Sequence, residues 1–210
     1  MFTGFYFYQN QIPKDEFPRG NLVVEVLDGD TFVIPGKQRV RLMNIDAPDM
    51  EHCGGLQAKQ CLEELVLGKR VDLEEIIVGQ YHRIVAMVYV NDLLVEEEML
   101  SRGLAVFTGV KNAQGEKLKE VYTQVKEAGI GIFGPDCYQL ENIKDPDCKI
   151  KGNNARDTGK KIYHFPGCSA YSGVIVEKFW GDQWFCTEAE AQKAGFVKSK
   201  NCYDKKYKPQ

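Results

Sequence analysis

Three short segments hold the side chains best suited to chemistry: Asp28-Gly29-Asp30-Thr31, Arg41-Leu42-Met43-Asn44-Ile45-Asp46-Ala47-Pro48-Asp49 and Tyr81-His82-Arg83. Hydrolysis of a phosphodiester needs an activated water, a cation to offset charge on the phosphoryl oxygens, and rigid donors for the pentavalent transition state. Asp30 and Asp46 can give oxygen ligands to a hard cation. Arg41 and Arg83 can each grip a phosphate through two parallel hydrogen bonds. Asp49 or Glu51 can polarise the water. Each piece also has an ordinary reading. Asp-Gly-Asp is a turn, an arginine in a strand is a surface residue, and Asp-Ala-Pro-Asp ends a strand. His52 and His82 are bases by type, but nothing in the sequence gives either one a partner.

The elements that must position these residues follow from periodicity. Strands are expected at Asn21 to Leu27, Thr31 to Ile34, Gln38 to Ile45, Val71 to Val78, Ile84 to Val90 and, briefly, Ala105 to Val110. Pro35-Gly36 and Asn91-Asp92 are turns. Residues 55–67 place Leu56, Cys61, Leu62, Leu65 and Val66 at helical spacing, and Gly68 caps the end. Leu93 to Ser101 and residues 114–128 are two further helices. Many short strands and three helices predict a small closed barrel with helices packed on it.

After residue 137 the composition changes. Residues 138–160, rich in Asn, Asp, Lys and Gly, are expected to link the barrel (21–137) to a compact module at 161–203. That module contains the segments Lys161 to Phe165, Tyr171 to Val176 and Gln183 to Cys186, then a short helix from Thr187 to Ala194. Residues 21–136 hold 12 Lys/Arg against 19 Asp/Glu, whereas residues 137–210 hold 13 against 9. The acidic half suits a cation site, and a protein coated in positive charge for nucleic acid is excluded.

Seven cysteines are many for a cytosolic chain of 210 residues, and the odd count leaves at least one out of any intramolecular pairing. Cys137 with Cys148, and Cys53 with Cys61, are the expected disulfides of the first part. In the second part Cys168 with Cys202 is preferred, with Cys186 simply buried. The alternative is a zinc ion held by His164, Cys168, Cys186 and Cys202. The aromatic start, Met1 to Tyr8, is too short to span a bilayer, which takes about 20 apolar residues. It reads either as the tail of a longer signal or anchor, or as an apolar terminus lying on the domain. Residues 9–20 read as a linker, and residues 204–210 as a tail.

The order Asp-Gly-Asp-Thr, then Arg-Leu-x-x-Ile-Asp-Ala-Pro, then Tyr-x-Arg resembles the staphylococcal nuclease (thermonuclease) family, from about Val23 to Cys137. Arg102-Gly103-Leu104-Ala105 adds to the resemblance. It implies an OB-fold-like five-stranded barrel with three helices, followed here by the small α+β module. It implies a calcium-dependent nuclease acting on DNA and RNA. Asp30 and Asp46 fall on the family's calcium-binding carboxylates, and Ala47 falls where a backbone carbonyl completes the cation site. Arg41 and Arg83 fall on the two phosphate-binding arginines, Tyr81 on a residue near the nucleotide phosphate, and Asp28 on a carboxylate behind the metal ligands.

Two departures stand out. The glutamate that orients the attacking water in the family is Asp49 here, one methylene shorter. Thr108-Gly109-Val110 lacks the aromatic residues that stack bases. The segments from Ile150 to Asn153, Lys161 to Gly167 and Trp184 to Ala191 resemble the "sunset" module that follows bacterial thermonuclease domains, and are similar to the small zinc-binding domain of the Ada DNA-repair protein. The expected protein is a monomer, secreted or tethered to a membrane outside the cell. The contrasting expectation is a barrel that has lost efficient catalysis and only binds a polymer or partner.

Overall fold

The computed structural model describes residues 19–78, 83–109, 112–155, 158–202 and 205–208. The N-terminal aromatic run, Tyr81, His82 and Val110 lie outside the described residues.

The first half is a curled sheet with the strand order β1-β6-β7-β4-β3-β2. Its strands are β1 (Asn21–Leu22), β2 (Glu25–Val26), β3 (Thr31–Ile34), β4 (Gln38–Leu42), β6 (Arg70–Val78) and β7 (Ile84–Val90). The two ends of this order, β1 and β2, are halves of one segment. Between them Val23 donates to the Lys69 carbonyl on one side, and Val24 donates to the Val33 carbonyl on the other, each at 2.9 Å. A single strand therefore stitches both edges, and the sheet closes on itself as a barrel must. Closure leaves no long unpaired edge and encloses an aliphatic core that includes Phe32, Val40, Leu42, Ile84 and Met87.

The strand expected at Gln38 to Ile45 is two strands. Asn44 stands at φ 65°, in the left-handed region, and separates β4 from β5 (Ile45–Asp46). Asparagine tolerates that region better than most residues. β5 pairs with β9 (Val106–Phe107), which is the shortened form of the expected last strand. β8 (Leu93–Leu94) continues the sheet beyond β7.

Helix α1 (Gly55–Val66) buries Ala58, Cys61, Leu62, Leu65 and Val66. Leu56, counted with that face on spacing, is instead half exposed at the helix start. α2 (Val95–Ser101) and α3 (Gly115–Glu127) pack on the barrel and on each other. α2 carries Glu96 wholly into the core, where both carboxylate oxygens lie 3.2 Å from the Val88 N–H. Burial pushes the Glu96 carboxyl up to about 8, against the partial offset of backbone N–H donors.

The second half begins earlier than composition suggested. Residues 150–155, assigned above to a linker, are β11 (Ile150–Ala155), the inner strand of a second sheet ordered β14-β11-β12-β15. Its partners are β12 (Lys160–His164), β14 (Gln183–Phe185) and β15 (Val197–Lys198), with α4 (Glu188–Lys193) against them. Polar, glycine-bearing sequence fits here because Gly152 faces Phe185 and Phe196: a Cβ added to it would meet their ring carbons at 2.6 and 2.9 Å. A small core of Ile150, Tyr163, Phe165, Phe185 and Phe196 holds this module.

The disulfides correct the expected pairing. Cys53 joins Cys137, Cys148 joins Cys186, and Cys168 joins Cys202 as preferred. Cys61, placed in a bridge with Cys53 above, is buried on the inner face of α1 and free. Short loops favour Cys137–Cys148 and Cys53–Cys61, but the fold brings distant segments closer than near ones. Three of the four residues offered to zinc are thereby oxidised, so they have no thiolate to give a metal. Three disulfides fit an oxidising environment. Among the described residues, no helix is long and apolar enough to cross a membrane.

The halves meet through aromatic packing. β10 (Tyr138–Gln139) pairs with β13 (Val176–Glu177). Just after β13, Phe179 inserts among Phe133, Tyr138 and Trp180, with ring centroids 5.2–6.4 Å apart. The Cys53–Cys137 bridge lies in the same cluster.

Candidate active site

The β3–β4 hairpin puts Thr31 opposite Arg41, and the Leu42 N–H donates to the Asp30 carbonyl at 2.9 Å. The residue just before β3 is thus locked beside β4. The turn ahead of it is pressed inward, because Gly29 lies where a Cβ would come within 2.6 Å of the Ala58 Cβ and 2.7 Å of the Ala47 Cβ. Only glycine fits between those two alanines, so the Asp-Gly-Asp turn is seated between α1 and the loop after β5. Asp28 fixes it further by accepting from the Asp30 N–H at 3.1 Å.

Asp30 is almost fully buried. Its carboxylate accepts from the Thr31 hydroxyl at 2.9 Å, from the Ala47 N–H at 3.0 Å, and from the Arg41 guanidinium. The second terminal nitrogen of Arg41 binds Asp46 at 2.5 Å. Positions 41 and 46 would lie on opposite faces of an unbroken strand, since the offset is odd. The left-handed turn at Asn44 breaks the alternation and brings both to one pocket. One guanidinium fork therefore holds two carboxylates, one from the turn before β3 and one from β5.

Three acids, Asp28, Asp30 and Asp46, gather around Arg41. Burial raises the Asp30 carboxyl to about 6; Arg41, the Ala47 N–H and Thr31 oppose the rise, while the Asp28 charge adds to it. At neutral pH Asp30 is ionised, so two carboxylates share one guanidinium with a third acid close by. Carboxylate oxygens gathered in this way suit a hard cation.

The other expected residues are placed less tightly. Arg83 is exposed, just ahead of β7. It lies two residues before Val85, which is the Cα partner of Arg41 in the parallel β4–β7 ladder. Among the described residues it makes no ion pair with the acidic cluster. Asp49 projects into solvent, with its carboxylate 3.6 Å from His52 Nδ1. Glu51 is exposed beside them. His52 Nδ1 is buried and makes no hydrogen bond among the described residues, the Asp49 carboxylate being its nearest acid. His52 also lies beneath the second module: a Cβ on Gly181 would meet His52 Nε2 at 2.7 Å, and the neighbouring Cys53 N–H donates to the Lys178 carbonyl. No local signal in residues 49–53 announces that cover, because it comes from a segment some 130 positions away.

The sequence profile described as "Staphylococcal nuclease homologue" matches residues 39–133. Protein ParB of Escherichia coli is 40% identical over 150 residues, covering 65% of this chain and 82% of that protein. The chain belongs to the staphylococcal nuclease family. The "Probable endonuclease LCL3" of Komagataella phaffii is 37% identical over 112 residues, covering 45% of this chain and 48% of that protein. The "Probable staphylococcal-like nuclease CAN3" of Oryza sativa subsp. japonica is 34% identical over 76 residues, 36% of this chain and 20% of its own length. The chain thus spans about half of the yeast relative and a fifth of the rice one. The family profile contains Arg41, Asp46, Asp49 and Arg83 but begins after Asp30. It is the hairpin register that joins Asp30 to the matched residues.

Proposed function

We propose that this chain is an endonuclease that hydrolyses phosphodiester bonds in DNA and RNA with the help of a divalent cation, calcium by family. The observation that carries the reading is the buried Asp30 carboxylate sharing the Arg41 fork with Asp46. A structural ion pair would not need two acids on one guanidinium. Asp30 and Asp46, with the main-chain carbonyl of Ala47, are the residues that would hold the cation. Its chemistry there would be to offset charge on a phosphoryl oxygen and acidify a water.

The chain's own groups do the rest. Arg41 has five N–H donors, and the two carboxylates engage only part of the fork, so others remain for phosphoryl oxygens. Arg83 supplies the second guanidinium from the β7 side, and Tyr81 contacts the phosphate. Asp49 orients the attacking water. The names of the yeast and rice relatives agree with a nuclease. The three disulfides support secretion, or a tether on the outer face of a membrane, and the chain acts as a monomer.

A second reading has one observation in its favour. Asp49 is short and three-quarters exposed, which suits a barrel that binds nucleic acid but cuts it poorly. A plasmid-degradation assay in calcium and in chelator separates the two. Degradation in calcium alone is expected, and intact plasmid at every calcium level would reject the enzyme. Asp49→Glu sharpens the test. If Asp49 orients the water, the longer side chain raises the rate by up to ~100-fold, the scale of a 1 Å correction in placement.

A further inference from the structure

One cavity of the chain lies away from the acidic cluster, in the second module. It has a volume of about 720 Å³, inside the ~300–1,000 Å³ range of small-ligand sites. Tyr171 and Trp184 line it, and Leu140 and Ile143 stand at its rim with 52% and 72% of their surface exposed. The Trp184 indole is fixed in place, since its N–H donates to Gln139 Oε1 at 2.8 Å.

Lys151, on β11, also lines the cavity and is only 2% exposed. Its ammonium donates to the carbonyls of Val174 and Tyr171 at 2.7 and 3.2 Å, which leaves one N–H over. It lies 4.4 Å from the centre of the Tyr171 ring and 5.6 Å from that of Trp184. Among the described residues no carboxylate forms an ion pair with it. Burial draws its pKa below the ordinary lysine value, and the exposed Glu141 at the rim opposes that only in part. A buried ammonium without a counter-ion is costly, and a bound anion would remove the cost. Lys149 adds a second cation to the same wall.

We propose that this cavity binds a phosphorylated nucleotide unit, the end of a single-stranded fragment, with its base against Trp184 and Tyr171 and its phosphate on Lys151 and Lys149. Aromatic rings beside lysines are the general equipment for holding single-stranded nucleic acid without sequence preference, because every base has a π-face. The choice of a nucleotide over other flat anions rests on the nuclease reading above. The site would compensate for the barrel's own lack of stacking aromatics at Thr108 and Gly109.

The test is a titration of the full chain with a 5′-phosphorylated thymidine dinucleotide in chelator, where the barrel does not cut, followed by tryptophan fluorescence and calorimetry. Saturable binding is expected, weakened tenfold or more by Lys151→Met and by Ser172→Glu, an exposed position at the cavity mouth that does not threaten folding. Arg41→Ala removes any binding at the barrel and should leave the cavity-dependent part in place. No binding, binding indifferent to both cavity variants, or binding lost in Arg41→Ala would each overturn the proposal. So would displacement of the dinucleotide by a peptide with an apolar C-terminal residue, which would make the cavity a peptide carboxylate site. Failure to degrade plasmid in calcium would defeat the nuclease reading without touching this binding result.

Discussion

The barrel and the module behind it solve the same folding problem by different means. The barrel closes a sheet around a continuous aliphatic core and adds three helices; its free cysteine, Cys61, sits in that core as a small apolar side chain. The module has far fewer buried side chains and is tied by two disulfides, Cys148–Cys186 and Cys168–Cys202. A unit of about fifty residues buries too little apolar surface to offset its chain entropy alone, so covalent closure takes over part of the task. The difference teaches that the oxidising environment matters to the module above all, and to the barrel only through Cys53–Cys137. The chemistry divides along the same line, with clustered carboxylates in the barrel and a lysine without a carboxylate ion pair, among the described residues, in the module.

The strongest way to break this comparison is to remove Cys168–Cys202 by alanine at both positions. The loop spans 34 residues, so roughly 4 kcal/mol should be lost from the module. Hydrogen exchange should rise across β11, β12 and β14 while β3, β4 and β7 stay protected. Equal loss of protection in both halves would show that they fold as one unit. Phe179→Ala probes the seam. Removing a buried phenylalanine should cost ~3–5 kcal/mol and expose the loop around Cys53 and His52, seen as faster exchange there.

Arg83→Ala addresses the barrel's chemistry alone. Arg83 is exposed, so the thermal midpoint should hardly move, whereas cleavage should fall by about 100- to 1,000-fold, as when one transition-state donor is lost. An Arg83→Ala protein that cuts normally would remove that residue from the site.

The smallest effect is a pH dependence. The Glu96 carboxyl is raised to about 8 in the folded chain against an ordinary 4.5. Between those values the folded state binds more protons than the unfolded one, so this group makes stability fall as pH rises, until the loss is complete above pH 8. Asp30 acts with the same sign between its ordinary 3.8 and about 6. Glu96→Gln should therefore flatten the decline in melting temperature between pH 6 and 9, and an unchanged slope would show that Glu96 is not its source.

The residues of the barrel site were legible because their types and order are local facts of the chain. Asp-Gly-Asp-Thr and Arg-Leu-x-x-Ile-Asp-Ala-Pro could be found without coordinates, as could the helices with their 3.6-residue spacing. Other features were not legible, for physical reasons. A strand of Gly, Asn and Ala reads as a linker, because β11 is stabilised by its two neighbours and not by its own propensity. Glu96 reads as one of three surface acids, and only packing shows that it alone of the three points inward.

By itself, then, the sequence determined the chemical inventory: the arginines at 41 and 83, a row of aspartates, seven cysteines and a change of composition near residue 137. The tertiary structure decided which of them meet. Asp30 and Asp46 share Arg41 because a hairpin register and one left-handed asparagine turn them to the same side. Cys53 found Cys137 rather than Cys61 because a disulfide depends on distance in space. Separation along the chain measures only the entropy of closing the loop, and the packing of the two halves had already closed it.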